Sequence, residues 1–249
     1  MKQKKEQFDV REKLILGLDI DDISAAYSLI DKLGPFIKFY KVGLQLITKD
    51  GPRMVMTLKR KGLKIFYDAK FFDIPQTVYN ACYEVTRLGV DFVNVHAMGG
   101  MKMIKFAKQA IEDASNKLQV EKPKLLAVTV LTSFENKEIK NILKTKFDVK
   151  KMVIHLAKMA KKAGADGVVC SPKEIRLIRK ECGRDFIIVT PGIRIGKIEK
   201  DDQKRIMTPY EAIKYGADYI VVSRPIIQAE DKIDIVEKII NQMQEAYNK

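Results

Sequence analysis

Eight short runs of β-branched and aromatic residues recur along the chain, each followed by a longer amphipathic stretch. That alternation constrains the fold more than any other feature. The runs lie at 13–20 (KLILGLDI), 36–43 (FIKFYKVG), 64–70 (KIFYDAK), 91–97 (DFVNVHA), 124–131 (KLLAVTVL), 166–171 (DGVVCS), 185–192 (DFIIVTPG) and 218–224 (DYIVVSR). Helices are expected at about 22–33, 50–61, 76–88, 100–118, 149–163, 173–182, 208–215 and 226–246. Strands that are apolar on both faces and separated by helices belong to a parallel sheet. Eight such units in 249 residues match a closed (β/α)8 TIM barrel, an α/β fold. The chain thus reads as one barrel domain over 1–249, with residues 1–12 as a short N-terminal extension. A doubly wound open sheet is the alternative, but its G-x-G-x-x-G after the first strand is replaced by LGLDIDD.

Three segments, RLGVD, KAGAD and KYGAD, precede the fourth, sixth and eighth runs. Gly89, Gly164 and Gly216 are expected to cap helices, with the acid following at the turn. Two connections are longer than the rest, 132–148 and 191–207. The first is expected to hold a short helical turn, and long loops in a compact barrel are usually functional.

Composition excludes several classes. The net charge is +14, but the lysines are dispersed and no nucleic-acid recognition motif is visible, so the excess suits small anionic substrates such as phosphates. Nucleic-acid binding is not expected. Three isolated cysteines show neither metal spacing nor a disulfide framework, and two histidines cannot build a multi-histidine metal site. No apolar run approaches the ~18 residues of a membrane span. The opening MKQKKEQFDVREK lacks the apolar segment of a signal peptide, which points to a cytoplasmic protein with no membrane contact.

A barrel carries its chemistry at the C-terminal ends of its strands. There the sequence puts Asp19, Lys41, Asp68 with Lys70, His96, Thr132, Arg194, and Ser223 with Arg224. Asp68 and Lys70 are two apart and leave a regular strand on one face. Lys41 on the neighbouring strand reaches Asp68, and Asp19 lies beyond Lys41. The expectation is an alternating array, Asp19, Lys41, Asp68, Lys70. A lysine between carboxylates makes a poor Schiff-base nucleophile and a good proton donor. A purely structural salt-bridge network is the alternative. Asp73 falls beyond the strand, either as part of a site or as a helix N-cap. Arg194 and Arg224 follow the seventh and eighth strands, the usual phosphate site of barrels, with Arg224 at the start of the last helix. His96 either lines the pocket or is a satisfied core histidine.

The stretch YDAKFFDIPQTV resembles the D-x-K-x-x-D-I-P-x-T signature of the orotidine 5′-phosphate decarboxylase family. LGLDIDD, FYKVG, FVNVHAMGG, LLAVTVLTS, VTPGIR, DDQKR and TPYEAIKYGADYIVVSRPI follow in that family's order. The resemblance implies a homodimeric barrel that converts orotidine 5′-monophosphate to uridine 5′-monophosphate and CO2, using no metal and no organic cofactor. It implies Lys70 as the group that protonates C6 and Asp68 beside the substrate carboxylate. Asp73, Ile74 and Thr77 would reach the partner's site, and Asp19 and Lys41 would bind ribose hydroxyls. Thr132 would meet the pyrimidine edge. Arg194, Gln203, Ser223 and Arg224 would hold the phosphate, with Gln203 also reaching the base from a closing loop. Two departures stand out: Ser223 where the family usually has Gly, a strained choice if the position needs φ > 0, and Ile195 where it usually has Pro. Two other readings remain: a metal-dependent sugar-phosphate decarboxylase or aldolase of the same suprafamily, with an acid-rich metal site in place of Lys41, and a non-catalytic phosphate- or nucleic-acid-binding barrel.

Overall fold

In a computed structural model, described for residues 9–195 and 206–248, the eight runs close on themselves. The strands are β1 (Leu14–Gly17), β2 (Phe39–Gly43), β3 (Lys64–Phe71), β4 (Phe92–His96), β5 (Lys124–Val128), β6 (Gly167–Val169), β7 (Ile187–Thr190) and β8 (Tyr219–Val222). Each pairs in parallel with its sequence neighbour, and β8 returns to β1. Around them run α1 (Ile23–Leu33), α2 (Leu44–Arg60), α3 (Pro75–Arg87), α4 (Gly100–Leu118), α5 (Asn136–Leu143), α6 (Val149–Lys162), α7 (Ile175–Cys182), α8 (Pro209–Lys214), α9 (Arg224–Ile227) and α10 (Lys232–Tyr247). The chain is a (β/α)8 barrel. Among the described residues no helix is long and apolar enough to cross a membrane.

The barrel interior is a plug of side chains. Ile15, Phe39, Phe66, Phe92, Leu126, Val189 and Val221 form one buried cluster, fed by seven of the eight strands. Phe92 packs edge-on against Phe39 and Tyr219 at 5.0 Å each and against Phe66 at 6.0 Å. Side chains alternate along a strand, so the next inward positions after Phe39, Phe66 and Phe92 are Lys41, Asp68 and Asn94. The polar layer therefore rests directly on an aromatic floor that excludes water from below.

At the opposite end, the three repeated segments do one job three times. Gly89, Gly164 and Gly216 adopt φ of +73°, +95° and +101°, just past the last helical residue, where only glycine is unstrained. The acid that follows accepts a strand N–H: Ile65 to Asp91 (2.7 Å), Leu125 to Asp166 (2.8 Å) and Ile188 to Asp218 (2.7 Å). Each acid also pairs with a helix cation, Lys59 (2.9 Å), Lys108 (2.9 Å) or Arg179 (2.7 Å).

Three boundaries differ from the sequence expectation. Helix α2 starts at Leu44 rather than 50 and breaks at Asp50 (φ −160°, ψ 36°), because Pro52 has no N–H to continue the ladder across that turn. The 132–148 connection carries the full helix α5, whose entry is fixed by the Glu135 N–H donating to the Glu138 carboxylate at 2.8 Å. The last helix is two helices. Asp231 accepts the N–H groups of Ile233 (3.0 Å) and Asp234 (3.1 Å), starting α10 afresh after the single turn of α9.

Candidate active site

The C-terminal mouth holds a continuous line of ion pairs. Lys41 Nζ lies 3.0 Å from Asp19 and 3.2 Å from Asp68, and Lys70 Nζ lies 2.7 Å from the other oxygen of Asp68. Side-chain exposure is 12 % for Lys41 and 9 % for Asp68, but 32 % for Lys70 and 50 % for Asp19. The inner pair is thus sealed and the two ends face the opening. Burial works against the charged form of Lys41, but Asp68 and Asp19 outweigh it and hold the ammonium above the ordinary lysine range. Burial likewise opposes ionisation of Asp19, and the Lys41 charge overcomes it, so the carboxyl stays below its usual 3.8.

Glycines make room for this line. A Cβ on Gly17 would stand 3.0 Å from Ser223 Cβ and 3.1 Å from Lys41 Cε, and one on Gly43 would stand 3.1 Å from Lys41 Nζ. The Lys41 side chain thus crosses the mouth through tight space, where a Cβ at either glycine would press on it.

Regular alternation does not deliver Lys70. Between the pairs Tyr67↔Val93 and Phe71↔Val95 the register shifts, so three residues of β3 stand against Asn94 alone. Lys70 takes φ of +50°, a conformation that costs a non-glycine residue roughly 1–3 kcal/mol. Its N–H donates to Asn94 Oδ1 at 2.7 Å, and Asn94 Nδ2 donates to Asp68 Oδ1 at 2.7 Å. Asn94 is absent from the sequence expectations. Its one signal there is a polar residue at the inward position of an otherwise apolar strand, two residues after Phe92.

Around the rim, Asp73 is exposed and accepts the N–H of Ile74 at 2.6 Å, while the N-cap of α3 is Ile74 itself, so the N-cap alternative for Asp73 does not hold. Phe72 and Ile74 are 63 % and 67 % exposed, and Thr77 is exposed in the first turn of α3. His96 stacks on Phe72 at 5.5 Å, and its Nδ1 accepts the Met98 N–H at 3.3 Å. Burial and then the Lys70 charge push the imidazole below its usual 6.5. Thr132 is half-buried in the turn after β5.

On the far side, Arg194 is buried just past β7, its guanidinium donating to the Ile193 carbonyl at 2.8 Å. The base of this loop is pinned by Arg194 N–H to Met207 O (3.0 Å) and Met207 N–H to Gly192 O (3.2 Å). Ser223 and Arg224 sit at the start of the single-turn α9, not of the last long helix, so the dipole behind them is that of one turn. Ser223 has φ of −129°, so the strain anticipated for a left-handed position does not arise. Gln203 lies outside the described residues. Ile195 ends the described part of the loop.

A family model for the orotidine 5′-phosphate decarboxylase / HUMPS family matches residues 12–239. The chain belongs to that family. Proteins named orotidine 5′-phosphate decarboxylase from Moorella thermoacetica and Legionella pneumophila (strain Lens) are each 43 % identical to it. The first match covers 90 % of this chain and 88 % of the relative, the second 93 % and 99 %. The crystal structure of the Lactobacillus acidophilus orotidine 5′-phosphate decarboxylase superposes with a TM-score of 0.82 at 39 % identity, covering 93 % of this chain and 99 % of that one. The metal-dependent alternative of the same suprafamily expects an acid-rich metal site in place of Lys41. Here the ammonium of Lys41 fills the space between Asp19 and Asp68, and among the described residues no three of His, Cys, Asp and Glu come together as a metal site.

Proposed function

We propose that the chain decarboxylates orotidine 5′-monophosphate to uridine 5′-monophosphate and CO2, as a cofactor-independent carboxy-lyase of de novo pyrimidine biosynthesis. The observation that carries this reading is the line Asp19–Lys41–Asp68–Lys70, ending in a partly exposed ammonium above an apolar floor. Breaking the C6–carboxylate bond leaves an electron pair on C6 with little resonance help. A fixed ammonium aimed at C6 stabilises that charge without reorganising, then gives up a proton to form the C6–H bond. Lys70 fills this role, held by Asp68 and recharged from solvent through the open end of the array. Asp68 lies beside the departing carboxylate. Asp19 and Lys41 bind ribose hydroxyls, Thr132 meets the pyrimidine edge, and Arg194, Gln203, Ser223 and Arg224 hold the phosphate. Binding energy from that remote phosphate then assists the chemistry at C6.

The enzyme works as a homodimer of single-domain barrels in the cytoplasm, each with a short extension over residues 1–12. Support comes from the exposed Phe72, Asp73, Ile74 and Thr77, which crown the mouth and spend little of their surface on their own barrel. Asp73, Ile74 and Thr77 complete the neighbouring subunit's site.

The test is loss of orotidine 5′-monophosphate absorbance with a metal chelator present. Wild type turns over at full rate, and Lys70→Ala does not while still folding. Near-wild-type turnover by Lys70→Ala sinks the assignment. Mixing Lys70→Ala with Asp73→Ala subunits restores one intact site per heterodimer. No recovery of activity on subunit exchange places Asp73 in its own chain's site.

A further inference from the structure

We propose that Asn94 is a positioning residue for the proton donor, standing in for the missing strand partner at the β3 irregularity and fixing Lys70 at both ends. The proposal rests on Lys70 being that donor. Three residues, Asp68 to Lys70, face Asn94 alone between two ordinary register pairs, so the backbone ladder has no main-chain acceptor for every group there. Asn94 supplies one from its side chain. Its Oδ1 takes the Lys70 N–H at 2.7 Å, which holds the φ of +50° that turns this lysine out of the regular strand. Its Nδ2 reaches Asp68 Oδ1 at 2.7 Å, the same oxygen that receives Lys70 Nζ at 2.7 Å.

The result is a closed ring: Lys70 N–H to Asn94, Asn94 to Asp68, and Asp68 to the Lys70 ammonium. A lysine has a flexible four-carbon stem, and its tip is placed only when both backbone and ammonium are fixed. The chemistry of the ring admits few residues. Flipping the amide would set Nδ2 against the Lys70 N–H and Oδ1 against a carboxylate, so the orientation is dictated by its partners. Aspartate keeps the acceptor, loses the donor and adds a charge beside Asp68. Leucine offers neither group. Asn94 is fully buried on the aromatic floor, and both ends of its amide bond within the ring.

Steady-state kinetics of Asn94→Ala and Asn94→Asp, beside Lys70→Ala, decide it. Asn94→Ala should lower kcat by about 100-fold, the effect of misplacing a reacting group by roughly 1 Å, with KM within about threefold of wild type. In Asn94→Asp the introduced carboxyl, when protonated, can both accept from Lys70 and donate to Asp68. The ratio of its kcat to that of wild type should therefore climb as pH falls, by up to about tenfold per pH unit across its titration. Asn94→Ala within about twofold of wild-type kcat, a loss carried by KM, or a pH-independent ratio for Asn94→Asp overturns the proposal. Should Asn94→Ala not fold, the pH profile of Asn94→Asp decides alone, and failure of both to fold assigns Asn94 to stability and overturns it as well. If Lys70→Ala stays active, it is the donor assignment that has failed.

Discussion

The two ends of this barrel use the same residue types to opposite effect. At the N-terminal end, Asp91, Asp166 and Asp218 each take one strand N–H and one helix cation, and each cluster is complete in itself. At the C-terminal end, Asp19, Lys41, Asp68 and Lys70 are chained, so that the two inner members are shared and each end has one partner. The lower acids tie strands to helices. The upper line ends in an ammonium that still has a face toward the mouth. Charge count does not separate a fastening from a reactive group, whereas the number of partners left over does.

The sharpest way to break that contrast is at its open end. Lys70→Ala should reduce turnover by about 10⁴-fold or more, combining loss of the acid and of its fixed charge, with a thermal midpoint within a few degrees of wild type. A large loss of stability instead would make the upper line a fastening like the lower ones.

Lys41→Met attacks the sealed centre. It leaves Asp19 and Asp68 facing each other without the cation between them, so activity and stability should fall together. Denaturant unfolding should show a loss of about 1–3 kcal/mol, below the cost of fully orphaning a buried charge because Asp68 keeps Lys70 and Asn94 and Asp19 is half exposed. Unchanged stability would mean that the two carboxylates are solvated and the line is not sealed.

Asp166→Ala tests the lower end. It removes the acceptor for Leu125 N–H and the partner of Lys108, and should cost roughly 1–3 kcal/mol of stability while kcat stays at the wild-type value. A fall in kcat at unchanged KM would erase the distinction between the two ends.

The smallest effect concerns pH. The folded Asp19 carboxyl titrates below its ordinary value of 3.8, so its contribution to stability is present above that value and lost as pH falls through the folded pKa. Lys41 is the mirror case: its folded pKa is raised, so its contribution is full below the ordinary 10.5 and fades as pH rises through the folded value. The thermal midpoint of wild type relative to Asp19→Asn should be flat from about pH 5 to 9 and narrow toward pH 3. Because half of the Asp19 side chain meets solvent, the shift should be small and should shrink with added salt. A gap that widens on acidification reverses the sign and contradicts the pairing.

Much of this protein was legible in its sequence. Eight apolar runs dictate eight buried parallel strands because nothing else hides both faces of so many short segments. The positions of Lys41, Asp68 and Asp19 follow from strand period and neighbour order. The repeated Gly-x-Asp turns announce themselves because every second unit faces the same geometric problem. What the linear pattern did not contain is what depends on two strands meeting out of step. Spacing places Asp68 and Lys70 on one face of a regular strand, but the strand is irregular there and Lys70 turns through a left-handed backbone. In that conformation its N–H meets Asn94, a residue 24 positions away whose amide has no meaning until β3 and β4 lie side by side. The helix break before α10 is different in kind: α9 stops at Ile227, and the Asp231 side chain starts α10 through N–H groups two and three residues on, a signal local to that segment. Periodicity is a property of one segment and can be read from it. A register shift and the side chain that fills it are properties of a pair, and only the closed barrel brings the pair together.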